Sequence, residues 1–497
     1  MNSQKILVVS LLILAGIVRA AAGEETFLFR KPTPVAIRSE VDRALAADWK
    51  RNGIAVPCEA SDSVLVRRLH LALAGRLPTP DEARAYVNST APDKYEALVG
   101  TLLDSDNFVD YWTMLWSDTL RVKSEFPINL WPNAVYGYQR RIRRFLKENE
   151  PYDRFARALL TSAGSNFRVP EANFFRATAD RTPRGIAGVV ALTFLGSRLE
   201  KWPTPEREKF IALFEPVAFK STKEWKEEIV YWRETPDNSD PRTAAADAVL
   251  SHPDFARALV NRIWFRFFGR GIVHEADDLR PDNLPVNPEL LELLAREFRE
   301  SGYDFRLLCR TIAESAACRA ASGNGDALAG RHFAAFAIRR LPAEVLDDAI
   351  RDLTGAPGDY SSVIPEPFTF IPADARTVTL ADGSISSSFL ILFGRPARDS
   401  GKLSERSDLI TDKQRLQLFN SGELYRKLGK LAQREDLKSL PLPSRVEELY
   451  WLFYSRPPTG RELTTIWLDS ERSKKKWRFL QDLSWILLNS KEFLHQH

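Results

Sequence analysis

Cysteine is scarce, with three residues in a chain of 497, at positions 58, 309 and 318. That excludes a disulfide scaffold, a zinc ribbon and an iron–sulfur ferredoxin. Cys309 and Cys318 share one helical stretch, RLLCRTIAESAACRA, which sets them about 13 Å apart along a helix axis. A disulfide needs Cα atoms within roughly 4.4–6.8 Å. Cys58 could pair with either, but burial as small apolar side chains is the simpler expectation. Charge of one sign is also lacking: 70 basic against 66 acidic side chains leave a net +4. A nucleic-acid binder usually carries a strongly basic footprint, so none is expected as a partner. Hydrophobic residues at 44% and charged residues at 27% exclude the composition of a disordered chain. No Gly-x-Gly-x-x-Gly, Walker A, His-Glu-x-x-His, Gly-x-Ser-x-Gly or EF-hand loop occurs, which removes the commonest nucleotide, zinc, serine-hydrolase and calcium signatures.

What is present begins with an address. Residues 1–22 read as a secretory signal peptide, with Lys5 as the positive region, Ile6 to Val18 apolar, and small residues for cleavage after Ala20 or Ala22. The apolar stretch is short of the roughly 20 residues that a spanning helix needs. The mature protein is therefore expected to be periplasmic or secreted, with no membrane span after cleavage.

The dominant period is helical. In NPELLELLAREFRESG, Leu290, Leu291, Leu294, Ala295 and Phe298 share one face, with Asn287 as N-cap, Pro288 at the first position and Gly302 at the stop. Capping boxes are expected at Thr79–Glu82, Ser444–Glu447 and Thr459–Glu462. Strand signals are sparse, the best being 375–393, where Asp382-Gly383 suits a hairpin turn. The expected fold is mainly α and multi-helical, two packed helical halves with a small extended element near 375–393. The expected division is a first helical domain at 24–200, a charged, Trp-containing connector at 201–241, a second helical domain at 242–436 and a helical tail at 444–497. HLALAGRLPTPDEA (70–83) echoes YWLFYSRPPTGREL (450–463), and LLDSDNF (102–108) echoes LLNSKEF (487–493). Two copies are too few for a solenoid. Either a helix–turn–helix unit is used twice or the segments only share capping chemistry.

These segments carry a resemblance. LVRRLHLALAGRLPTPDEARAYV (65–87), YEALVGTLLDSDNFVDYWTMLWSDTLR (95–121) and PYDRFARALLTSAGSNF (151–167) are similar to domain of unknown function 1549, the planctomycete cytochrome-like domain. FARALVNRIWFRFFGRGIVHEADDLRPDNLPVNPELLELLAREF (255–298) and FLILFGRPARDSGKLSERS (389–407) resemble domain of unknown function 1553. The pairing is that of a secreted family of planctomycete and verrucomicrobial type, whose biochemical activity is not settled. The resemblance implies Cys-x-x-Cys-His after the Leu-Gly segment, as for covalent haem. Here that run is FLGSRLEKWPTPEREKF (194–210), with neither Cys nor His, and the Cys-x-Cys expected after Phe-Gly-Arg-Pro is missing too. Covalent haem needs those thiols, so no haem and no other cofactor is expected.

Three polar constellations stand out. In GRGIVHEADDLRPDN (269–283), His274 with Asp277 or Asp278 suits acid/base catalysis or oxygen-ligand metal binding, with Arg280 as a binding residue. The plainer reading is an ion-pair network pinning a loop to Arg262, Arg266, Arg270 and Arg280, and no metal site is assigned. Trp112 and Trp116, four residues apart on one helix face, with Asp118 and Arg121, suit either a platform for a sugar ring or a core pair. Arg395, Arg398, Glu405 and Arg406 suit either oxyanion binding or an Arg–Glu clamp on an irregular loop. The expected function is an exported, non-haem scaffold or binding protein that engages a polysaccharide or another cell-envelope protein, a sulfatase/phosphatase-like one included by the resemblance. Catalysis is not the favoured reading. The alternatives are a polysaccharide hydrolase or lyase using His274, Asp277 and Asp278, and a cytochrome-like electron carrier, which the missing thiols disfavour.

Overall fold

A computed structural model describes residues 28–223, 226–234, 240–323, 326–372, 374–472 and 476–497. The expected signal peptide lies outside the described residues. The fold is mainly α, with small two- and three-stranded sheets beside the helices. Among the described residues no helix is long and apolar enough to cross a membrane.

Local chemistry starts the helices where the sequence puts it. Ser39 caps Glu40–Arg51 in a reciprocal box with Asp42. Thr79 and Glu82 do the same for Pro80–Asn88, with Pro80 at the first position, where its missing N–H costs nothing. Asn287 accepts from the Leu290 amide at 3.0 Å and opens Pro288–Glu300. Each cap satisfies an amide that the helix itself leaves without a partner.

The apolar faces then merge into one core that runs through both halves. Helix Asp106–Thr119 packs on Pro132–Lys147, and Asp254–Phe268 packs on both Pro183–Leu195 and Pro288–Glu300. Trp112 joins the halves directly, its ring 6.2 Å from Phe267 and 5.2 Å from Phe305.

The sequence echo is a repeat in three dimensions. Arg76 grips Glu82 through two nitrogens at 2.7 and 2.6 Å, and Arg456 grips Glu462 at 2.9 and 2.9 Å. Gly75 and Ser455, one residue earlier in each copy, are both left-handed, with φ of 59° and 60°. Two helices further on in each copy, Ser105 and Ser490 cap Asp106–Thr119 and Lys491–Leu494 by accepting from the Phe108 and Phe493 amides, at 3.2 and 3.1 Å. Shared capping does not require the same Arg–Glu grip, so a helix–turn–helix unit has been used twice. The two copies touch. Arg67 donates to the Phe453 and Phe493 carbonyls at 2.9 and 2.8 Å, and Arg84 lies over the Trp451 ring at 5.2 Å.

Gly75 is the tightest turn in this unit. A Cβ there would stand 2.2 Å from Tyr111 Cδ2, and the backbone is already left-handed. Gly75→Ala is expected to cost about 2–4 kcal/mol, combining the left-handed penalty with overpacking. Urea denaturation checks this; a loss under about 0.5 kcal/mol would mean that the turn relaxes freely.

Some local expectations are corrected. The extended element near 375–393 shrinks to one bridge, between Ser386 and Ser361, flanked by the short helix Ser388–Leu392. No hairpin forms at Asp382-Gly383, because Asp382 accepts from the Ser124 amide at 2.9 Å and Gly383 donates to the Val122 carbonyl at 3.0 Å. The turn is bound to the first half instead of pairing with itself. The larger sheet is built mostly from the charged connector, where Val217–Ser221 pairs antiparallel with Glu228–Trp232, and Gly164–Ser165 of the first helical region pairs on the other side of Glu228–Trp232. Ser444 does not cap, because Leu442–Tyr454 starts two residues earlier and Ser444 sits inside it. Cys309 and Cys318 fall on two helices, since Ser315 restarts the chain as N-cap of Ala316–Arg319. All three cysteines are free, and Cys309 and Cys318 are buried.

Candidate functional site

The last turn of Asp106–Thr119 delivers Asp118 into the interior, where it is 5% exposed. Such a carboxylate needs charged partners. One oxygen accepts from Arg398 Nε at 2.9 Å and the other from Arg406 Nη2 at 2.7 Å. Arg406 also donates to Glu344, at 2.5 and 2.9 Å. Glu344 lies in the first turn of Ala343–Thr354, is fully buried, and is approached by Arg395 Nε at 3.5 Å. One guanidinium thus bridges two carboxylates from distant helices. Arg398 further donates to the Ala381 and Val122 carbonyls at 2.9 and 3.3 Å, and Arg395 donates to the Ile385 and Asp382 carbonyls.

The electrostatics follow from that geometry. Burial alone would raise the Asp118 and Glu344 carboxyls, but Arg406, with Arg398 at Asp118 and Arg395 at Glu344, outweighs it and holds both below their ordinary values. Burial works against charge on Arg406 too, and the two carboxylates more than reverse that, raising it well above the usual guanidinium range. Burial pushes Arg395 down to about 10, with Arg398 adding to the push.

A pH dependence follows. Carboxyls with depressed folded pKa values contribute stability that is fully present above their unfolded values, about 4. That contribution is lost as pH falls through the folded values. Urea midpoints are expected to hold from pH 7 to about 5 and then to drop below about pH 4. In Arg406→Met the folded values of Asp118 and Glu344 move up toward or past the unfolded ones, so the acid drop should be smaller. An unchanged acid profile in that variant would contradict the pairing.

The other sequence candidates are placed as follows. Arg121, left-handed with φ 56°, donates to the Ala177 and Thr119 carbonyls at 2.9 and 3.1 Å. Glu405 does not pair with the arginines. It accepts from the Asp399 and Ser400 amides at 3.2 and 2.5 Å and shapes its own loop. The expected Arg–Glu clamp exists, but its acids are Asp118 and Glu344. Asp277 accepts from Arg262 at 2.9 Å and from the Leu403 amide at 2.6 Å. Arg262 also donates to the Thr193 and Leu192 carbonyls, both at 3.0 Å, which ends Pro183–Leu195. Asp278 pairs with Lys201 at 2.6 Å and with Arg280 at 3.2 Å. His274 faces solvent beside Glu275 at 3.4 Å, and burial followed by Arg270 lowers its pKa. The three proposed acid/base residues therefore do not converge: Asp277 and Asp278 are buried and paired while His274 is outside. Among the described residues no three His, Cys, Asp or Glu side chains cluster as metal ligands would.

The sugar-platform reading of the tryptophans is also corrected. Trp112 and Trp116 are 1% and 4% exposed, because the helix that carries them is buried almost all round. Glu344 is the participant that the sequence reading missed. Its helix looks like an ordinary amphipathic one, in which an acid at the first turn merely suits the helix dipole.

Fold and site together define a multi-helical body in which the buried charges Asp118, Glu344 and Arg398 are bonded, together with Arg406, across distant helices. Residues 40–190 match the family model described as a protein of unknown function, DUF1549 (PSCyt2), and residues 242–467 match the one described as a protein of unknown function, DUF1553 (PSD1). The chain belongs to the family that joins these two domains. No curated protein and no solved structure matches it. The network spans both matched regions, with Asp118 in the first and Glu344, Arg395, Arg398 and Arg406 in the second.

Proposed function

We propose that this chain is an exported, non-haem binding or scaffold protein of the cell envelope, engaging another envelope protein or a polysaccharide. The observation that carries the reading is an apolar stretch left on the surface. Leu409 and Ile410 are 71% and 50% exposed, and Leu416 and Phe419 on helix Asp412–Asn420 are 57% and 51% exposed. Phe419 stands 5.5 Å from the Trp485 ring of the second repeat copy. Grouped exposed apolar side chains of this kind mark interaction surfaces. Meanwhile the acid groups that a hydrolase or lyase would use are occupied by arginine and lysine partners, which favours binding over catalysis. Binding carried by the surface makes Leu416 and Phe419 the sensitive positions.

The test is affinity capture from the organism's own envelope fraction, with the mature chain and with Leu416→Asp and Phe419→Asp variants. A captured component that is lost in both variants supports the reading. Identical captured sets in all three sink it. The purified chain is also expected to show no Soret band after periplasmic expression, since no paired thiols are present to attach a porphyrin; a Soret band would sink the non-haem part of the reading.

A further inference from the structure

Helices Pro80–Asn88 and Lys94–Leu103 flank a groove of about 490 Å³ in the first repeat copy. Ala85, Tyr86, Ala97, Leu98 and Leu102 make its walls mostly apolar, and Arg76 reaches it from the turn. Small-molecule sites have volumes of roughly 300–1,000 Å³. The second copy shows what the arginine can hold. Arg456 donates through Nη1 and Nη2 to Glu462, as Arg76 does to Glu82. Each also donates from Nη1 to the next residue's carbonyl, Pro457 at 3.0 Å and Leu77 at 2.9 Å. The remaining edge differs. Arg456 Nε and Nη2 grip a second acid, Glu492, at 2.6 and 2.7 Å. Asn107 stands at the matching position of the first copy, and its Oδ1 accepts from Arg376 at 2.6 Å. Arg76 Nε makes no hydrogen bond among the described residues. The Arg76 side chain is 18% exposed, against 4% for Arg456.

We propose that this groove binds a monocarboxylate carried on an apolar body, with the carboxylate on the Nε–Nη2 edge of Arg76, where Glu492 sits on Arg456. A guanidinium offers two parallel N–H bonds along that edge, which match the two oxygens of one carboxylate. The apolar walls suit hydrocarbon better than a sugar ring. Lys94 does not compete for the acid, because Asp62 at 2.7 Å and the Tyr86 and Ser89 carbonyls at 3.2 and 3.0 Å take its donors. Nor does His70, whose Nδ1 donates to the Val66 carbonyl at 2.8 Å and whose Nε2 lies 3.6 Å from Glu82. Glu82 and the exposed Asp93 also line the groove, so one negative charge fits better than the two of a phosphate or sulfate. The groove is separate from the exposed surface at Leu416 and Phe419, so either reading can fail without the other.

The carboxylate could belong to a peptide C-terminus or to an aliphatic acid, and the experiment separates the two. The mature chain, labelled with ¹⁵N-arginine, is titrated at constant ionic strength with N-acetylphenylalanine, its amide, octanoate and acetate. The Nε–H resonances of Arg76 and Arg456 are assigned by their loss in Arg76→Lys and Arg456→Lys. The Arg76 resonance is expected to move saturably while the Arg456 resonance does not move. Tighter binding of N-acetylphenylalanine identifies a peptide C-terminus, and tighter binding of octanoate an aliphatic acid; either supports the proposal. Acetate should bind at least about tenfold more weakly, for want of an apolar body. Asn107→Glu gives the first copy the acid of the second, while Arg376 keeps Asp348 at 3.6 Å. In that variant the Arg76 resonance should already lie near its bound position and no longer respond. No saturable movement with any acid, equal movement with the amide, acetate binding as tightly as octanoate, or an unaltered response in a folded Asn107→Glu chain overturns the proposal. Calorimetric titration of the unaltered chain needs no assignment and should show one site for the favoured acid and none for the amide, so a variant that fails to fold leaves the test intact.

Discussion

Arg406→Met is expected to destabilise the chain by about 3–5 kcal/mol, the usual effect of removing one partner from a buried ion pair. The size follows from what is left behind. Glu344, fully buried, would keep only Arg395 at 3.5 Å, and Asp118 would keep only Arg398. Lost attraction is the smaller part of the effect; the larger is two carboxylates held out of water with half their partners. Neutralising the acids should therefore recover stability. In urea denaturation followed by far-UV circular dichroism, Arg406→Met combined with Asp118→Asn and Glu344→Gln is expected to be more stable than Arg406→Met alone. Simple additivity of the three losses would mean that the groups do not act together.

Trp116→Ala is expected to cost a similar amount, about 3–5 kcal/mol. Its indole touches four rings, with centroids 5.7 Å to Phe145, 5.7 Å to Tyr152, 5.9 Å to Phe155 and 6.2 Å to Phe305. Those rings come from three further helices, so the cavity left by alanine cannot close by shifting one element. The same burial predicts that a panel of glycans will leave the fluorescence of Trp112 and Trp116 unchanged. Quenching that disappears in Trp116→Ala would restore the sugar platform.

Local signals were legible in the sequence, and long-range pairings were not. Thr79, Asn287 and Thr459 cap where their spacing places them, since a cap is decided within a few residues. Ser444 misleads for the same local reason. Arg445 donates to the Leu440 carbonyl at 2.7 Å and Pro441 starts the helix early, so the serine is carried inside. The connector sheet was missed although EIVYW (228–232) is rich in β-branched and aromatic residues, because the flanking charges hid it. At the site, Asp118 and the three arginines could be singled out as chemistry-bearing, but not joined. Their partner Glu344 lies 62 residues from Arg406, and Asp118 lies 288 residues away. Nothing in either segment marks that distance, and Glu405, one residue from Arg406, looked the nearer acid.

The two matched regions form one body joined through Asp118, Arg406 and Glu344. Native-state hydrogen exchange tests it most directly, by comparing Arg406→Met with the unaltered chain in peptides spanning Asp106–Thr119 and Ala343–Thr354. Both helices are expected to lose protection together and by a similar factor. Loss confined to Ala343–Thr354, with Asp106–Thr119 as protected as before, would contradict it.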